Sequence, residues 1–194
     1  MSKAKAIVRM AFFANRTPTG RRSATAVRKL TMYLGYGRGS EREQRQRPLR
    51  GLWHDQDGKM LRHREVLAWV AEQGRQQAYT YELVLSTKYA DLDEEEYTQA
   101  LKAGGELFPA WRLMRHEDSP YPHAHVLTFD DRQILIKDPA FQAWCQRVRR
   151  ALEQTQTHHL AQSQEAEQLA ALSNEQDNIQ ENVQGYQHDW GWGL

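Results

Sequence analysis

The chain has a single cysteine, Cys145. One thiol excludes an internal disulfide and any metal site built on paired cysteines. No apolar run approaches the roughly 20 residues that a bilayer-spanning helix needs. No segment joins a basic start, an apolar centre and a small-residue cleavage site, so no secretory leader is expected. No internal repeat stands out. These absences lead us to expect a cytoplasmic protein with no membrane partner. Hydrophobic residues make up 40% of 194 positions, enough for one modest core, so one domain with a tail is expected.

Net charge is only +1, but the charges are segregated. Residues 1–50 carry 13 Lys and Arg against two acids, Glu41 and Glu43. Cations interleaved with apolar residues suit a folded polyanion-binding surface; the alternative is a solvated basic arm. The leading candidates for phosphate contact are Arg21, Arg22, Arg28 and Lys29, followed by Arg38, Arg42, Arg45, Arg47 and Arg50. Trp53, Trp69, Trp111 and Trp144 are expected in the core rather than as base-stacking platforms.

Three of the eight histidines fall between positions 116 and 125, in His-Glu-Asp-Ser-Pro-Tyr-Pro-His-Ala-His. The Val-Leu-Thr-Phe run that follows reads as a strand. On a strand, residues i and i+2 share a face, so His123 and His125 project side by side, with His116 reaching in from the preceding segment. Three neutral imidazoles suit a divalent metal and leave positions open for substrate. Asp118 is a candidate to hold a ligand histidine by its second ring nitrogen; the alternative is a carboxylate that caps a turn.

The rest of the pattern predicts an α+β fold. Strands are expected over 6–13, 79–85, 111–115, 123–129 and 132–137, giving an antiparallel sheet of about five strands with the histidine pair on a central one. Tyr79, Tyr81, Leu83 and Leu85 should share a face. Helices are expected over 24–34 with Ser23 as N-cap, over 61–73, and to Ala103 from an Asp91/Glu94 cap pair. A further helix should start at Asp138-Pro139 and run past Glu153. Residues 38–50 read as a loop or mobile basic segment. The expected division is a domain at 1–153 and a Gln/Asn-rich tail at 154–194, helical or partly disordered.

With these residues assembled, the chain resembles the conjugative relaxases, or mobilisation nucleases, of the HUH endonuclease superfamily. The likeness is to the mobilisation-protein branch that includes the T-DNA border endonuclease. The family's third motif, H-x-D-x-x-x-P-H-x-H before an apolar strand, matches His116, Asp118, Pro122, His123 and His125. Leu30-Thr31-Met32-Tyr33-Leu34-Gly35-Tyr36-Gly37-Arg38-Gly39 resembles the nucleophile motif. Tyr33 matches it better, and Tyr36 is the alternative. The likeness covers roughly residues 5–137. One departure is Ala124, where the family usually has a bulky apolar residue; the layer beneath it is expected to be under-filled unless a neighbour compensates.

The resemblance implies a site- and strand-specific nickase acting at an origin of transfer. The tyrosine would attack a phosphodiester and leave a 5′-phosphotyrosine and a free 3′-OH. It also implies a bound Mg²⁺ or Mn²⁺, whereas three imidazoles on their own suit Mn²⁺ or Zn²⁺. The chain ends near the family's nuclease domain, so accessory mobilisation or helicase proteins are expected as partners, beside single-stranded DNA. Two alternatives stay open. One is a replication initiator or transposase, although no tyrosine lies between Tyr121 and Tyr186, where those enzymes place theirs. The other is an inactive, metal-stabilised DNA-binding protein.

Overall fold

Alternation of apolar and polar residues along each strand decides which side of the sheet each residue meets. The computed structural model describes residues 5–116 and 122–188, with side chains described as far as 171. Its strands are β1 (Ala6–Ala14), β2 (Trp53–Asp55), β3 (Met60–Leu61), β4 (Tyr79–Thr87), β5 (Trp111–His116) and β6 (His123–Asp130). They form one sheet in the order β1-β4-β6-β5-β2-β3, antiparallel throughout. The helices are α1 (Thr25–Tyr36), α2 (Glu41–Gln44), α3 (His63–Gln76), α4 (Glu94–Ala103) and α5 (Pro139–His188).

Helices pack on both sides of the sheet. On one side Tyr81, Leu83, Leu85, Leu113, Ala124 and Val126 meet Tyr97 and Leu101 of α4 and Phe141, Trp144 and Val148 of α5. On the other, Trp53, Met114, Leu127 and Phe129 meet Val27 and Leu34 of α1 and Val66 and Val70 of α3. Each large side chain fully withdrawn from water contributes about 1.5–3 kcal/mol, so the two layers fix which way β6 faces. Ala124 is fully buried within the first layer, across the strand pair from Leu85.

The sheet has six strands rather than about five, and its membership differs from expectation. The short β2–β3 hairpin was not anticipated. It turns at Gly58, whose φ of 81° favours glycine, and the Asp55 carboxylate accepts from the Asp57 and Lys59 amides. Residues 132–137 form no strand, because their backbone groups are engaged elsewhere. The Tyr81 hydroxyl donates to the Arg132 carbonyl and accepts from the Ile134 amide, and the Asp138 carboxylate accepts from the Leu135 amide. The α4 cap is Asp93 with Glu96, each carboxylate accepting the other's amide; Asp91 instead pairs with Arg115 at 2.6 Å. Helix α1 begins at Thr25, one residue later than expected, and its N-cap is Ala24 rather than Ser23; the Ser23 hydroxyl accepts from the Thr25 amide at 3.2 Å from one position before the cap. The segment read as a loop contains α2, closed by a Ser40/Glu43 capping box.

The chain divides into two compact units, Met1–Gln156 and Thr157–Leu194. The first holds the whole sheet and α1–α4. In the second, the described side chains from Ala161 to Ala171 are exposed along a polar stretch of helix.

Candidate metal centre

Strand register gathers the histidines. His123 and His125 share a face of β6, and β5 lies beside it with His116 opposite His123. Ring centroids are 5.0 Å apart for His116 and His123, 4.5 Å for His116 and His125, and 5.1 Å for His123 and His125. Their donor nitrogens all lie within 4.8 Å of one another, and this is the one such group among the described residues. Both β6 histidines are half-buried, whereas His116 is 2% exposed.

Hydrogen bonds fix how two of the rings present themselves. His116 Nε2 lies 3.0 Å from the Leu34 carbonyl at the C-terminal end of α1. A carbonyl only accepts, so Nε2 carries the proton and donates. The lone pair of a neutral ring then sits on Nδ1, which is buried with no hydrogen-bond partner. Burial, then the neighbouring charges of His125, Arg50 and His123, hold the His116 pKa down to about 3, against the opposing effect of the Leu34 bond. His125 Nδ1 donates to the Glu82 carboxylate at 2.8 Å, which turns its Nε2 lone pair outward.

These donors fit a divalent cation. An orphaned, deprotonated nitrogen in the interior is costly unless something accepts its lone pair. Two ligands of one ion at about 2.1 Å each lie no more than about 4.2 Å apart. Any pair near the 4.8 Å limit therefore closes slightly on binding. Imidazole alone favours a borderline metal over Mg²⁺.

Glu82 is the residue that the sequence reading missed. It stands on β4 and reaches His125 across the strand pair. A carboxylate among apolar neighbours in a central strand was its one visible signal. Asp118, the candidate for a similar role, lies outside the described residues.

The tyrosine-bearing end of α1 adjoins the centre through Leu34. Tyr33 is 40% exposed and lines a cleft of about 630 Å³ with Arg28, Lys29, Met32 and Arg38; none of the three histidines lines it. The Tyr36 ring packs edge-on against His63, a fourth histidine, with centroids 4.9 Å apart.

The basic residues separate into groups. Arg28, Lys29 and Arg38 line the same cleft as Tyr33, together with Glu41. The Arg50 amide donates to the Gly35 carbonyl at 2.9 Å, and its side chain is close enough to depress the His116 pKa. Its neighbour Gly51 passes so near β5 that a Cβ there would fall 1.9 Å from the Arg115 carbonyl oxygen. Arg47 donates to the carbonyls of Arg38 and Tyr36, which ties the basic loop to the end of α1. Arg22 pairs with Asp131 and Arg45 with Glu41, so part of their charge is compensated. Arg21 and Arg42 are exposed.

Beyond the histidines the same sheet face continues through Glu82, Val84 and Ser86 of β4 to Ile7, Arg9 and Ala11 of β1. The β4 residues are half-buried and the β1 residues exposed. This face is open at its β1 side, where the other face is packed by helices. Compared with known proteins, the chain matches no family model, no curated protein and no solved structure.

Proposed function

We propose that this chain is a metal-assisted DNA nickase of the relaxase type, acting on single-stranded DNA at an origin of transfer. The observation that carries the reading is the convergence of His116, His123 and His125 beside the end of a helix that bears an exposed tyrosine amid cations. The motif's likeness to the HUH relaxases supplies the reaction class.

His116, through Nδ1, and His125, through Nε2, would hold a divalent ion together with His123. Such an ion, Mn²⁺ or Mg²⁺ by the resemblance, would supply positive charge to offset that of a phosphodiester. Arg50 adds positive charge at the same end. Arg28, Lys29 and Arg38 hold flanking phosphates, and the open strip of β4 and β1 leaves room for the strand to approach. Tyr33 is the nucleophile in this reading, because its ring is accessible while that of Tyr36 is packed on His63. Attack forms the bond from Tyr33 Oη to phosphorus and breaks the bond from phosphorus to the 3′ oxygen. The phenol proton passes to solvent, and the departing oxygen takes one up as a 3′-OH. The phosphotyrosine preserves the linkage energy, so the strand can be resealed. Unwinding belongs to accessory mobilisation or helicase proteins.

The test is a labelled pool of single-stranded oligonucleotides incubated with Mn²⁺ and resolved under denaturing conditions. Wild type and Tyr36→Phe should form a covalent protein–DNA adduct, and Tyr33→Phe should form none. An adduct that survives Tyr33→Phe but not Tyr36→Phe moves the nucleophile to Tyr36. The Tyr33 cleft, which none of the three histidines lines, favours a second reading: a DNA-binding protein stabilised by its metal and without a covalent step. Binding of the pool with no adduct under any divalent ion supports that reading.

A further inference from the structure

His63 has no place in the mechanism above, yet it is 8% exposed and touches the helix end that the mechanism depends on. It opens α3. Its Nδ1 lies 3.0 Å from the indole nitrogen of fully buried Trp53. An indole N–H only donates, so His63 Nδ1 is the acceptor and the ring's proton sits on Nε2. Burial lowers the His63 pKa and keeps the ring neutral.

The other side of this ring faces α1. A Cβ on Gly35 would stand 2.6 Å from His63 Cε1 and 3.0 Å from Nδ1. A glycine at 35 is therefore what lets ring and helix approach so closely. Tyr36 packs edge-on against the same ring. One residue earlier, the Leu34 carbonyl accepts the hydrogen bond from His116 Nε2. Trp53 pairs with Met114, two residues before His116 on β5. The contacts thus close a circuit: β5 to Trp53 on β2, to His63, to Gly35 and Tyr36, to the Leu34 carbonyl, and back to β5 at His116.

We propose that His63 is a positioning residue, a neutral wedge that seats the last turn of α1 against His116. In that seat the tyrosine-bearing turn and the ligand-presenting tautomer of His116 are set together. With the wedge in place, Leu34 holds the His116 proton on Nε2 and leaves Nδ1 for a cation. If the turn moves, His116 loses that restraint, and its two tautomers become comparable in energy. The part of this inference that concerns the tyrosines rests on the nickase reading; the control of His116 does not.

The experiment uses the full chain as wild type, Gly35→Ala, His63→Ala and the double variant. Two-bond proton–nitrogen spectra of the metal-free imidazoles report the His116 tautomer directly. Wild type should show His116 locked with its proton on Nε2. Gly35→Ala, which drives a methyl into the wedge, should show averaging between tautomers. His63→Ala should loosen the lock as well. The double variant should regain much of it, because the new methyl occupies space the ring has vacated. Mn²⁺ affinity should follow the same order, falling about 10-fold in Gly35→Ala and returning to within about 3-fold in the double variant.

A locked His116 in Gly35→Ala, or defects that add in the double variant, overturns the proposal. If Gly35→Ala does not fold, His63→Ala decides alone, and an unchanged His116 signal in it overturns the proposal too. None of these readouts needs DNA cleavage. A protein that makes no adduct yet shows this pattern loses the nickase reading and keeps the wedge.

Discussion

Strand β6 presents two surfaces with opposite chemistry. Ala124 and Val126 point into a packed layer against α4 and α5. His123 and His125 point the other way, toward an orphaned nitrogen of His116, the end of α1 and an open stretch of sheet. Alternation along one stretch of backbone separates the two faces, and on the second face the histidines give way to Leu127 and Phe129, which pack against α1 and α3. Apolar layers on both faces supply burial energy, and they stabilise the unsatisfied and charged groups gathered at the histidine end of the second face.

That division can be tested from the packed side first. Trp144 is 1% exposed and packs edge-to-face on Phe108. Trp144→Ala should cost about 3–5 kcal/mol in denaturant unfolding, while the folded fraction binds Mn²⁺ as wild type does. Loss of metal affinity in that folded fraction would mean that the two surfaces are not separable. From the open side, His123→Ala should weaken Mn²⁺ by on the order of 100-fold and leave the midpoint of unfolding in metal-free buffer nearly unchanged. Calorimetric titration and a denaturation curve check both halves.

Two further effects sharpen the comparison. Glu82→Gln removes the carboxylate that orients His125 and should weaken Mn²⁺ about 10-fold, within the range for such partners. Glu82→Ala should cost at least as much. A separate effect is a pH slope. His116 titrates from an ordinary 6.5 in the unfolded chain to about 3 in the fold. Between those values the unfolded chain binds the extra proton, so metal-free stability rises with pH across this window and falls as pH drops from about 6.5 toward 3. One proton gives at most about 1.4 kcal/mol per pH unit. His116→Gln should flatten the slope in urea titrations run across that range.

Much of this was legible in the sequence wherever the signal is local. The alternating residues of Tyr79–Leu85 and His123–Phe129 gave strands, and Asp138-Pro139 gave the start of α5. The histidine trio was visible because its members lie within ten positions. The partners that give the centre its character were not visible, since they lie far along the chain. Glu82 is 43 residues from His125, and Leu34 is 82 residues from His116. The wedge at His63 was hidden for the same reason. The strand expected over 132–137 does not form, because Tyr81 and Asp138 claim the backbone that a strand would need. Nothing in Trp53-His54-Asp55 announces a strand three residues long; register with β5 makes it one.

The proposed function depends most on three imidazoles acting as one cation site. Calorimetric titration of the metal-free protein with Mn²⁺ near neutral pH, repeated on a His123→Ala, His125→Ala double variant, tests this most directly. The expected result is one ion per wild-type chain and none in the variant, with both proteins equally folded. Binding that persists in the variant, or a wild type that takes up neither Mn²⁺ nor Zn²⁺, would contradict it.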